Sequence, residues 1–328
     1  MQTLLSFLLL LLPLQLLAQT PPSLNATLDG YEYPYTVENL PLKLEGQAVR
    51  MAYMDVAPTA RANGRTVVLL HGKNFFAAYW RETIKALTQA GFRVVAPDQV
   101  GFGKSDKPAL RYSFHQLARN TKQLLDTLGI AKAVVVGHSM GGMLATHFAL
   151  LYPETTERLV LENPIGLEDY RVGVPFQSVD QSLATELKTT EASIRKYHAT
   201  YYPGGYPAAH DEWVRPLAAQ ITHPDFPKVA LASALTYQMI YQQPVVYEFD
   251  RVAVPTLLII GQQDRTVVGK GLVKDPKALA MMGQYPALGK RTAAQIRGAK
   301  LVALEKVGHI PHLEASKEFQ AALLAFLK

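Results

Sequence analysis

No cysteine occurs among the 328 residues. Disulfide staples, thiolate nucleophiles and lipid attachment through cysteine are therefore excluded, and an apolar core must hold the fold. Charge is missing from the first nineteen residues, MQTLLSFLLLLLPLQLLAQ, which are nearly all apolar from Leu4 to Ala18. That run is short for a membrane span. With Pro13 inside it and Ala18-Gln19 at its end, it has the pattern of a secretory leader, although no Lys or Arg precedes it. Residues 1–19 are expected to be a cleaved signal peptide, and the mature chain to be exported, periplasmic or extracellular. No other run approaches spanning length, so no stable membrane insertion of the mature chain is expected. The +6 net charge comes from scattered Lys and Arg, with no basic stripe carrying interleaved aromatics, which argues against nucleic-acid binding. No His-Glu-x-x-His motif or zinc-like spacing occurs, so no metal is expected. Internal repeats are absent as well.

What remains is a globular composition, 48% hydrophobic and 18% charged. A Pro-rich connector at 20–39 leads to two strands, 40–46 and 48–56, around the turn Glu45-Gly46-Gln47. From there short apolar strands at 66–70, 93–96, 133–136, 158–161, 256–260 and 301–304 alternate with amphipathic helices at 80–90, 113–128, 139–151 and 316–327. Helix 113–128 opens on Ser113-x-x-Gln116, a capping box, and stops at Gly129. Strands that are apolar throughout are buried on both faces, and their alternation with helices predicts an α/β fold with a mostly parallel central sheet flanked by helices. Residues 167–250 interrupt the rhythm. They are helical by pattern, rich in tyrosine, and fall between two strands, so they are read as an inserted helical cap on a core of 40–166 and 251–328.

The stretch Val134-Val-Val-Gly-His-Ser-Met-Gly-Gly142 places one hydroxyl between glycines directly after a strand. A phosphate-binding reading of the nearby Gly103-Lys104-Ser105 fails, because the first P-loop glycine would fall on Asp98. The dinucleotide fingerprint fails too, with Asp106 at its third glycine position. A nucleophile elbow, G-x-S-x-G on a strand-to-helix turn, fits Gly137-His138-Ser139-Met140-Gly141. Such a serine needs a base and an orienting acid beyond later strands. Asp264 follows strand 256–260, and His309 follows the last strand. An attacked carbonyl also needs two N–H donors. One is the backbone of Met140 at the helix start; the other is expected in the loop Leu70-His71-Gly72-Lys73-Asn74.

These motifs, together with Pro97-Asp98-Gln-Val-Gly101-Phe-Gly103-Lys-Ser105 and Gly308-His309-Ile-Pro-His-Leu-Glu314, resemble the α/β-hydrolase superfamily, in its capped serine-hydrolase branch of esterases and C–C bond hydrolases. The resemblance implies the α/β-hydrolase fold, with Ser139 as nucleophile, Asp264 as acid, His309 as base, and the Lys73 backbone as second oxyanion donor beside Met140. A long cation stands at 73 where a small or aromatic residue is more usual, which leaves Asn74 as the alternative donor. Glu162, after strand 158–161, is the alternative acid. Serine at the elbow disfavours epoxide hydrolysis and dehalogenation, which use aspartate there. The implied activity is hydrolysis of carboxylic esters through an acyl-serine, without cofactor, and the tyrosine-rich composition of the cap suggests small or medium uncharged substrates. The alternatives are C–C bond or lactone hydrolysis with the same triad, or a non-catalytic ligand-binding protein on this scaffold. His71, His138 and His312 are read as structural, and 98–105 as a structural turn.

Overall fold

Eight strands form one sheet in the order β1-β2-β4-β3-β5-β6-β7-β8 in the computed structural model, which describes residues 23–328. The expected leader lies outside the described residues. The strands are β1 (Val37–Leu44), β2 (Gln47–Val56), β3 (Thr66–Leu70), β4 (Arg93–Pro97), β5 (Ala133–His138), β6 (Thr156–Glu162), β7 (Thr256–Gly261) and β8 (Lys300–Leu304). β2 pairs antiparallel with both β1 and β4, and every later pairing is parallel. The β1–β2 hairpin is tighter than the expected three-residue turn. Leu44 faces Gln47 directly, and Glu45 and Gly46 both take positive φ, 45° and 81°, which matches the twist of the flanking strands.

Alternation along each strand divides the core. Val67 and Leu69 join Trp80, Ile84, Phe319 and Leu327 on one face, while Val68 and Leu70 join Phe114, Leu117, Leu144 and Phe148 on the other. β3, β5 and β7 are buried throughout, as apolar central strands must be. β8 is the exception among the apolar strands: it is the sheet edge, and four of its five residues are at least partly exposed. Helix Phe114–Thr127 has only half of the expected capping box. The Ser113 hydroxyl accepts from the Gln116 amide, but the Gln116 side chain donates to Asn120 instead of reaching back.

Helices Tyr170–Gly173, Val179–Glu186, Glu191–Ala199, Asp211–Ile221 and Phe226–Gln242 lie between β6 and β7. Residues 23–33 bind both this cap and the core: the Leu24 amide donates to the Ala219 carbonyl, Gln220 donates to the carbonyls of Asn25 and Ala26, and the Tyr33 hydroxyl donates to Asp98. Two helices that the sequence pattern did not indicate, Pro276–Met281 and Tyr285–Gln295, join β7 to β8. Their prolines occupy first-turn positions, where no amide donor is needed, and Gly289 obscures the helical pattern. That glycine is a close-packing device, since a Cβ there would lie 2.9 Å from Ile260 of β7.

His147 stacks on Phe114 at 4.9 Å, and His198 of the cap lies 5.1 Å from Phe75. Burial pushes both imidazoles down to about 4, assisted at His147 by neighbouring His115. Unfolded, each takes up a proton near pH 6.5, well before the folded protein does. Their contribution to stability is complete above that pH and is lost as pH falls toward 4, on the order of 2 kcal/mol each by pH 5. Urea unfolding should therefore show a lower midpoint at pH 5 than at pH 7.5, and His147→Leu should reduce that difference.

Candidate active site

The parallel strands deliver the candidate residues to one edge of the sheet. The loop 71–76 follows β3, Ser139 follows β5, Asn163 follows β6, Asp264 follows β7, and His309 lies beyond β8. These strands are neighbours in the sheet, so residues far apart in sequence end side by side.

Ser139 has φ 55° and ψ −118°, a left-handed conformation that costs a non-glycine residue about 1–3 kcal/mol. Its surroundings enforce it. The Ser139 amide donates to the Glu162 carbonyl at 3.1 Å, and its own carbonyl accepts from Gly142, Met143 and Ile165 at 2.9, 3.2 and 3.1 Å. The turn is also too tight for side chains. A Cβ on Gly137 would sit 2.1 Å from the Gly141 carbonyl oxygen, and one on Gly141 would sit 2.1 Å from the Leu70 carbonyl oxygen. Helix Met140–Leu151 begins at the next residue, aiming its positive end at the hydroxyl.

The Ser139 Oγ lies 2.9 Å from His309 Nε2, and His309 Nδ1 lies 2.7 Å from Asp264 Oδ2. A carboxylate oxygen only accepts, so Nδ1 carries the proton and Nε2 presents a lone pair to the hydroxyl. Asp264 is held on both oxygens: Oδ2 also accepts from Asn163 Nδ2 at 2.7 Å, and Oδ1 accepts from the Thr266 amide at 2.8 Å. Burial alone would raise this carboxyl. The facing His309 and these hydrogen bonds outweigh it and hold Asp264 below the usual carboxylate value. His309 stacks on Tyr201 of the cap at 4.7 Å and donates its amide to the Tyr201 carbonyl at 2.9 Å. Glu314 accepts from the amides of Gly308 and Ile310 on either side of it.

Glu162, the alternative acid, is engaged elsewhere. It accepts from the His312 amide at 2.6 Å and from His312 Nδ1 at 2.9 Å, forming a second buried carboxylate–imidazole pair. His138 supports the site from below. Its Nε2 lies 2.8 Å from the His309 carbonyl, which can only accept, and its Nδ1 lies 3.0 Å from the Tyr79 hydroxyl. Burial, then the neighbouring His309 and His312, keep His138 neutral, so Nδ1 accepts from Tyr79. The same Tyr79 oxygen accepts the Gly72 amide at 2.9 Å, tying the oxyanion loop to the histidine loop. His71 Nε2 accepts the Gln99 amide, and Asp98 accepts from Tyr33 and from the amides of Ala77 and Lys104.

The backbone amides of Lys73 and Met140, the expected oxyanion donors, make no hydrogen bond to a protein acceptor among the described residues. Asn74 donates its side-chain amide to the Tyr201 hydroxyl at 2.9 Å. A cavity of about 570 Å³ lies over Ser139 and is shared between core and cap, with Lys73, Phe102, Lys107, Tyr197 and Tyr201 among its walls. Asn163, Tyr79 and Glu314 were not singled out by sequence reasoning. Only Glu314 carried a signal, as the last residue of the Gly308–Glu314 motif.

A profile described as alpha/beta hydrolase fold matches residues 65–316, and the chain belongs to that family of hydrolases. The crystal structure of a probable hydrolytic enzyme from Pseudomonas aeruginosa PAO1 is similar, with 50% identity and a TM-score of 0.91, covering 94% of this chain and 99% of that one. A 2-hydroxy-6-oxononadienedioate/2-hydroxy-6-oxononatrienedioate hydrolase of Comamonas testosteroni is 43% identical over 108 residues, 32% of this chain and 38% of that protein. The 2-hydroxy-6-oxo-6-phenylhexa-2,4-dienoate hydrolase of Burkholderia cepacia matches with the same identity and the same coverage of 32% and 38%. The chain thus spans less than two-fifths of the length of these two curated relatives. The enol-lactonase of Burkholderia xenovorans LB400 shares the fold at 23% identity and a TM-score of 0.65, over 88% of this chain and 99% of that one.

Two variants test this geometry. Gly141→Ala should destabilise the protein by about 3 kcal/mol or more, read as a lowered urea midpoint, because the added methyl meets backbone that cannot rotate away. Asp264→Asn should keep the fold but lower kcat by about 10⁴, since an amide no longer selects the Nδ1–H tautomer. Glu162→Gln should cost far less activity, and equal losses in the two variants would contradict the assignment of the acid.

Proposed function

We propose that this hydrolase acts through Ser139, with His309 as general base and Asp264 as its orienting acid, on carboxylic esters. The observation that carries the reading is the unbroken chain Ser139 Oγ–His309 Nε2, His309 Nδ1–Asp264 Oδ2, at 2.9 and 2.7 Å, opening on one cavity. His309 takes the hydroxyl proton as the serine oxygen attacks the carbonyl carbon. The amides of Met140 and Lys73 receive the negative charge on the carbonyl oxygen. The tetrahedral intermediate collapses, His309 returns the proton to the departing alcohol, and an acyl-serine remains. Water then enters, gives its proton to His309 and attacks the same carbon; the second tetrahedral intermediate collapses, His309 returns that proton to the departing Ser139 oxygen, and the acid is released.

A second reading keeps the same machinery and changes the bond. The similarity to two dienoate hydrolases and to an enol-lactonase favours cleavage of a C–C bond beside a ketone, or of a lactone. Aromatic composition alone suggested uncharged substrates, but the cavity also presents two lysines and a glutamate. We also propose export after removal of residues 1–19, tested by the N-terminal mass of protein recovered outside the cytoplasm.

A fluorophosphonate probe should add its phosphonyl group to the native chain with loss of fluoride, and add nothing to Ser139→Ala. Labelling of both proteins, or of neither, would rule out Ser139 as nucleophile. Rates on a 4-nitrophenyl ester, a lactone and a vinylogous diketone then rank the readings.

A further inference from the structure

The residue after Gly72 sends its side chain away from the oxyanion loop and into the cavity. Lys73 Nζ donates to Ser233 Oγ at 2.6 Å, and the Ser233 hydroxyl donates to Glu186 Oε1 at 2.8 Å. Both partners belong to the cap, and all three residues line the cavity that contains Ser139. An ammonium has three N–H donors. Ser233 takes one, and Lys73 Nζ makes no other hydrogen bond among the described residues. Burial pulls the pKa of this amine down and Glu186 pulls it back up, and its remaining N–H donors meet no protein acceptor among the described residues.

The other charged groups of the wall have partners of their own. Lys107 lines the same cavity, its ammonium turned onto the carbonyls of Gly103 and Ser105. Burial pulls Lys107 down to about 7, and Asp98, Asp106 and Asp29 lie on its side, so it adds little positive charge to the wall. Lys73 is the amine left facing the cavity, and Glu186 meets it only through the Ser233 hydroxyl. A hydrogen bond from Lys73 to an entering anion would be charge-assisted, and a point charge on a flexible stem tolerates variation in where the anion sits.

We propose that the substrate carries a carboxylate, which Lys73 binds within the Ser139 cavity while remaining hydrogen-bonded to Ser233. This assignment rests on the hydrolytic reading of Ser139 and deepens it. Lys73 then serves twice: its amide faces the oxyanion, and its ammonium selects the substrate. Glu186, held through Ser233, keeps the ammonium charged and aimed when no substrate is present.

The test is a charge series on one acyl chain, the 4-nitrophenyl esters of hexanoic acid, of adipic acid as the monoester, and of 6-aminohexanoic acid. Monoglutarate and monosuberate bracket the distance. The full-length protein should prefer at least one of the carboxylate esters to hexanoate by tenfold or more in kcat/KM, and should discriminate against the aminohexanoate. Lys73→Met should bring the carboxylate-to-hexanoate ratio to one or below, whatever it does to absolute rates, and Lys73→Arg should keep the ratio above one. Fluorophosphonate labelling of Ser139 is measured on every variant. Labelling with hexanoate turnover but no carboxylate preference would overturn the Lys73 assignment and leave the hydrolase standing. A preference for the ammonium ester, or a ratio unchanged in Lys73→Met, would overturn the assignment as well. Failure of labelling in the native chain would instead remove the hydrolytic reading on which it rests.

Discussion

Everything at the site depends on one backbone conformation, the left-handed Ser139 between β5 and helix Met140–Leu151. A strand that turned into a helix by a looser route would swing the hydroxyl away from His309 and the first helical amides away from the cavity over it. The constraint is met by subtraction. Gly137, Gly141 and Gly142 lack the side-chain carbons that would strike Gly141, Leu70 and Pro164, so backbone approaches backbone directly. The local cost is offset by hydrogen bonds from three later amides to the Ser139 carbonyl. The serine thus has little freedom before substrate arrives, which is the condition for orientation to contribute to rate.

How much of this was legible in the sequence follows from where each constraint is local. The elbow depends on residue types within a few positions of Ser139, and Asp264 and His309 follow apolar strands, so pattern and order were enough to pick out three residues that the fold brings within hydrogen-bond distance. The strands themselves were readable because burial on both faces leaves an unbroken apolar run, as in Val134–Val136. Contacts that depend on neighbouring strands were not readable. Asn163 looks like an ordinary residue in an Asn-Pro turn. Only the adjacency of β6 and β7 reveals that its amide group donates to Asp264 and accepts from the Gly261 amide. Glu162 shows the same limit in reverse. Its position after β6 suits an acid, yet the fold gives it His312 as partner. The helices between β7 and β8 escaped notice because proline and glycine, which locally argue against a helix, here occupy a first turn and a packing contact.

The two carboxylate–imidazole pairs show how similar chemistry is separated into different roles. Asp264–His309 and Glu162–His312 are both buried, and in each the acid faces an Nδ1 proton. What differs is the far side of the ring. His309 Nε2 meets the Ser139 hydroxyl, whereas His312 lies against the indole of Trp80, with ring centroids 4.1 Å apart and no partner for its Nε2 among the described residues. A base needs a proton to exchange with, and His312 faces only ring carbon and protein interior.

Between these pairs His138 closes a mechanical circuit. The Gly72 amide donates to Tyr79, Tyr79 donates to His138, and His138 donates to the carbonyl of His309. Each link consumes a donor that would otherwise be buried without a partner, so no link can loosen without leaving a polar group stranded. The loop that carries the Lys73 amide and the loop that carries His309 therefore share one frame, although the two residues lie 236 positions apart. The cap joins the frame through Tyr201, whose carbonyl holds the His309 amide while its ring covers the imidazole. Lifting the cap would break this main-chain bond and uncover the His309 ring.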